Sequence, residues 1–127
     1  MKKTIGVIAG LLMSATAHAG GFYAYAIPKY VQPGTDGKVI ITMYSAGGTT
    51  GTPACNTRGA MAIDTNTVGG KAMYSQILLV QANSNANSIP QNSQGPLLQN
   101  IYGTGTCNIV SGAEDMQSFQ VQMTGQF

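Results

Sequence analysis

Short runs in which apolar and polar positions alternate fill most of the chain, and one run recurs at helical spacing instead. Tyr23 to Val31 (YAYAIPKYV) predicts a strand, with Tyr23, Tyr25, Ile27, Lys29 and Val31 on one face and Ala24, Ala26 and Tyr30 on the other. Pro28 lacks a ladder donor, so an edge position or a bulge is expected there. PGTDG, Pro33 to Gly37, is turn chemistry. Lys38 to Ser45 (KVIITMYS) is rich in β-branched and aromatic residues and predicts a second strand, hairpinned to the first. A glycine-rich loop, AGGTTGTP, follows, and Arg58 to Ile63 predicts a third strand.

The period then changes. DTNT, Asp64 to Thr67, offers helix-capping side chains, with Thr67 at the cap, and Val68 to Ala82 carries Met73, Ile77 and Val80 at helical spacing beside Ala72 and Gln76. The polar stretch Asn83 to Pro96 has no apolar period and is expected to be a long exposed loop. Leu97 to Thr106 predicts a fourth strand. SGAED, Ser111 to Asp115, predicts a turn, and Met116 to Met123 a fifth strand, with Phe119, Val121 and Met123 alternating with Ser118, Gln120 and Gln122. The order β-β-β-α-β-β is that of a mainly β, OB-fold-like five-stranded barrel with one helix. A small open α+β sheet with the helix on one face is the alternative.

The N-terminus changes the picture of the rest. Lys2 and Lys3, the apolar run IGVIAGLLM and the small-residue pattern AHA (Ala17 to Ala19) predict a secretory signal peptide over residues 1–19. A single domain over residues 20–127 is expected to start near Gly20 or Gly21, in the periplasm or secreted. Roughly 107 residues can bury about 65% of their unfolded surface, enough for one core. Without the leader, Lys29, Lys38, Arg58 and Lys71 face Asp36, Asp64, Glu114 and Asp115, so the formal charge is zero. That balance gives no basic footprint for nucleic acid. No second apolar run is long enough for an integral membrane span. The chain ends in Phe127 after FQVQM, a pattern similar to the ends of outer-membrane barrels, but five strands fall short of the eight or so that such barrels need. Cys55 and Cys107 are the only two cysteines, and export predicts that they form one disulfide. Closing a loop on the order of 50 residues would stabilise by about 4 kcal/mol.

Candidate chemistry is sparse. IYGTGTC, Ile101 to Cys107, looks like a phosphate loop, but no helix and no lysine follow it. Its glycines are expected to let a strand bend near its end. The only histidine, His18, lies in the leader, which removes the commonest general base and zinc ligand. Glu114 and Asp115 are expected to be solvated turn residues, Asp64 a capping residue, and Lys71 a solvent-facing charge on the first helical turn. No nucleophile motif accompanies the serines. The expectation is therefore no catalytic residue, no metal site, no cofactor and no enzyme. What remains is surface: six tyrosines, each with an apolar face and a polar tip suited to sugars or protein partners. Tyr23, Tyr25 and Tyr44, on the first hairpin, are the expected ligand-binding residues.

ACNTRGAMAIDTNTVGGKAMYSQILLVQA, followed by IYGTGTC, resembles a group of small exported bacterial proteins. That group is distantly similar to the B subunits of AB5 toxins of the subtilase-cytotoxin and typhoid-toxin kind, and YVQPGTDGK has their strand–turn–strand rhythm. The resemblance implies an OB-fold, a homopentameric ring, a cell-surface glycan as ligand and a catalytic toxin subunit as partner. Two departures stand out. The stretch from Asn83 to Pro96 is longer than those subunits' turn, and their sugar-contacting serine on the first strand has no counterpart, Tyr23 falling near its place. A small periplasmic structural or protein-binding protein on the same fold, without lectin activity, is the competing expectation.

Overall fold

The structure, a computed structural model, describes residues 20–46, 49–84 and 95–125. The leader expected over 1–19, the interior of the Asn83 to Pro96 connection and Phe127 lie outside the described residues. The elements are β1 (Phe22–Pro33), β2 (Lys38–Ala46), β3 (Met61–Asp64), α1 (Val68–Asn83), β4 (Gly95–Gly103) and β5 (Glu114–Gly125). The protein is thus mainly β with one helix between β3 and β4, as the periodicity predicts.

The sheet closes on itself in the order β1-β2-β3-β5-β4, with β1 paired to both β2 and β4. Every pairing is antiparallel except β3 with β5, which run parallel over Met61↔Glu114 and Ala62↔Asp115. The β1–β2 turn follows its sequence. Gly37 sits at φ 81°, the Asp36 carboxylate accepts from the Lys38 N–H at 3.1 Å, and the Gly34 N–H donates to the Lys38 carbonyl at 2.7 Å. Gly37 can hold that left-handed angle because it has no Cβ.

The register breaks between Pro28 and Tyr30, as the missing proline donor predicts. The consequence for side-chain direction is larger than the simple alternation allows. Pro28 opposes Met43 and Tyr30 opposes Thr42, so Lys29 is the extra residue and the parity of β1 flips there. Val31 therefore joins the core beside Ile41, while Tyr30 turns outward. A second parity change precedes it, because Tyr23 and Ala26 both enter the core. On β4 the matching irregularity lies between Gln99 and Tyr102, where Asn100 adopts φ 48° and brings both Leu98 and Ile101 inward. Asparagine tolerates this region better than most residues.

Helix α1 lies against β1, β3 and β4 and lends Ile77 and Val80 to the core, with Met73 and Tyr74 packed at its margin. Ala72, Gln76 and Lys71 face solvent. The Thr67 hydroxyl caps the helix: it accepts from the Gly70 N–H at 2.9 Å and donates to the Asp64 carbonyl at 2.8 Å. A second, smaller cluster of Ala60, Ala62 and Ala113 with Ile40, Ile109 and Val110 packs outside the main core. The disulfide Cys55–Cys107 forms, with its Cα atoms 6.0 Å apart.

Sequence expectations are corrected at several points: α1 runs on to Asn83 and β4 begins at Gly95, both inside the loop expected over Asn83 to Pro96. β3 begins at Met61 rather than Arg58, β4 ends at Gly103 rather than Thr106, and β5 begins at Glu114 rather than Met116. GTGTC is therefore mostly loop, not strand. Glu114 and Asp115 are not solvated turn residues; both are buried. The reason is that backbone N–H groups, distant or hidden in the sequence string, converge on them.

Candidate ligand-binding face

The outward face of the first hairpin gathers an aromatic patch. Ile27 opposes Tyr44 and Tyr25 opposes Ala46, so Tyr25 and Tyr44 are diagonal neighbours on one face. Past the bulge, Tyr30 joins that face. Lys29 lies between the rings, its Nζ 4.6 Å from the Tyr44 centroid and 5.0 Å from that of Tyr30. Both distances are within cation–π range. Tyr30 is 55% exposed and Tyr25 41%, while Tyr44 is half-buried. Ile27, on the same face, is fully buried.

Tyr23 does not belong to this patch. It is only 7% exposed, paired with Ile101 inside the core, so the exposure expected of it is overturned. Burial, with a smaller contribution from the negative charge of Glu114, raises its hydroxyl above the ordinary 10.0. Of the three tyrosines that the sequence points to, the fold thus places Tyr25 and Tyr44 together and removes Tyr23. Tyr30 and Lys29 take its place. They were discoverable: the proline that predicts the bulge also predicts the flip of parity after it.

The bottom of the molecule's β4–β5 loop is organised by the two buried carboxylates. Glu114 accepts from the Gly21 N–H at 3.0 and 2.8 Å through its two oxygens, and from the Gly105 N–H at 3.0 Å. Asp115 accepts from the N–H groups of Asn108 and Ile109 at 2.9 and 2.8 Å and from the Thr106 hydroxyl at 2.8 Å. Gly103 packs so closely on Glu114 that a Cβ would overlap the carboxylate. The glycines of GTGTC are thus there to admit a carboxylate, not a phosphate.

Recesses open elsewhere on the described surface. Phe22 and Tyr102, cross-strand partners with centroids 5.0 Å apart, flank a cleft of about 280 Å³ with Gly20, Thr50 and Gly51. Between α1 and β5, Gln76, Leu79, Val121 and Met123 line an open groove of about 330 Å³. No helix is long and apolar enough to cross a membrane among the described residues, and no group of three metal-ligating side chains occurs there. No family model, no curated protein and no solved structure matches the chain.

Proposed function

We propose that the protein is an exported, non-enzymatic binding protein on an OB-fold barrel, of the kind that the B subunits of AB5 toxins represent, and that it binds glycans through Tyr25, Tyr30, Tyr44 and Lys29. The strand order β1-β2-β3-β5-β4, with the helix between β3 and β4, supports the OB-fold assignment. The disulfide supports an oxidising, exported setting in the periplasm or beyond. The glycan assignment is carried by one observation: tyrosine rings gathered on one face of the first hairpin, Tyr25 and Tyr30 exposed, with the Lys29 ammonium over those of Tyr30 and Tyr44. Sugar C–H faces stack on such rings while the hydroxyls reach the polar tips. A shallow site of this kind is weak alone, so useful affinity needs several copies, such as a homopentamer carrying a catalytic partner subunit.

A glycan array probed with free and pre-clustered protein tests this. Signal is expected from the clustered form. Replacing one stacking tyrosine by alanine should cost on the order of 1–2 kcal/mol per site, multiplied by avidity. Retained binding after Tyr25, Tyr30 and Tyr44 are all changed to alanine discards the site. A blank array together with a monomeric mass discards the lectin reading. The competing function, a periplasmic protein-binding or structural role, is favoured by the apolar groove of Leu79, Val121 and Met123.

A further inference from the structure

Glu114 is 1% exposed, and among the described residues no lysine or arginine pairs with it. Among the described residues its oxygens accept from the N–H groups of Gly21 and Gly105. Neutral donors satisfy the lone pairs but leave the charge itself without a counter-charge, which is costly away from water. Three glycines border the carboxylate. A Cβ on Gly20 would lie 2.5 Å from Oε2, a Cβ on Gly21 would lie 2.7 Å from Oε1, and one on Gly103 would overlap the carboxylate. No lysine or arginine side chain can start from any of these positions. A cation carried by the backbone itself would need no side chain at these positions.

The sequence supplies one. The AHA pattern ends at Ala19, and Gly20 follows. We propose that removal of the leader between Ala19 and Gly20 creates an α-ammonium that pairs with Glu114, so that cleavage itself completes the buried site. The assignment rests on the exported reading of the chain and is independent of glycan binding. A leader peptidase and one water hydrolyse the Ala19–Gly20 amide. The carboxylate stays on Ala19, and the amine stays on Gly20 and takes a proton. Before cleavage the Gly20 nitrogen is a neutral amide and can offer Glu114 no charge. After it, the nitrogen is one bond from a Cα that already borders Oε2 and the Gly103 carbonyl, a second acceptor. Glycine is needed at Gly20 and Gly21 for the same reason: any side chain would occupy the space beside the carboxylate.

The pairing should raise the α-amino pKa above its ordinary range. The stabilisation is then complete below that range and is lost as pH rises through the raised value. The titratable groups facing the pair are Glu114 itself, from β5, and Tyr23, from β1. Asp115 is turned to Asn108 and Ile109, Gly103 of β4 borders the carboxylate, and Tyr102 of β4 lines the cleft beside Gly20.

N-terminal sequencing of the exported protein should give Gly20 as the first residue. Two purified chains are then compared, one beginning at Gly20 and one carrying a single serine before it, which moves the amine by about 3.8 Å. At pH 6.5 the Gly20 chain should melt about 5 °C or more above the extended one. The gap should close in alkali, and Tyr23 cancels because both chains carry it. Acetylating the Gly20 amine should remove the advantage, as should Glu114→Gln where that variant folds. An exported chain starting elsewhere overturns both the cleavage site and the pair. A chain that starts at Gly20 but melts like its extended and acetylated forms keeps the leader and overturns the pair.

Discussion

At the scale of single residues, the buried carboxylates decide most. Gly103→Ala would drive a methyl into the Glu114 carboxylate. The expected loss is about 1–3 kcal/mol, measured by urea unfolding, and a neutral result would mean that the carboxylate can move aside. Tyr23 sets a pH dependence. Its raised folded value means that the folded state keeps a proton which the unfolded chain loses near 10.0. Stability should therefore be intact below that value and fall as pH climbs through the raised one. Tyr23→Phe should flatten that alkaline slope in melting curves taken across the range.

At the scale of elements, helix α1 offers a matched pair of tests. Gly69 has open space around it, so Gly69→Ala should stabilise by about 0.5–1 kcal/mol through helix propensity and a less entropic unfolded chain. Gly70→Ala should instead destabilise, because its Cβ would meet the Asp64 carbonyl. Thr67→Ala removes the cap and should cost about 1 kcal/mol in thermal or chemical unfolding. The cap, the inward residues of α1, the hairpin turn and the bulge at Pro28 were all legible, because each depends on neighbours within a few positions. Which tyrosines face outward was only half legible. Alternation assigns directions correctly up to the bulge and reverses them past it, which is how Tyr30 changed face, while Tyr23 entered the core with its β4 partner Ile101.

At the scale of the whole molecule, the disulfide joins the segment before β3 to the loop between β4 and β5. Cys107→Ser should lower stability by about 2–4 kcal/mol, read as a fall in melting temperature of about 10 °C or more. Intact mass with and without reduction should confirm that no thiol is free. By itself the sequence determined five strands and a helix in order, the helix start, the first turn and the cysteine pair, because local propensity, capping and composition act within short windows. Only the tertiary structure decided where Glu114 and Asp115 go. The N–H groups that hold Glu114 come from Gly21, 93 positions away, and from Gly105, so no local pattern could show that a turn-like acidic pair would be drawn inside. The same closure that pairs β1 with β4 brings Gly20 and Gly21 onto that carboxylate. A polar group is buried where distant backbone donors meet it, and that meeting is a property of the closed sheet rather than of any segment of the chain.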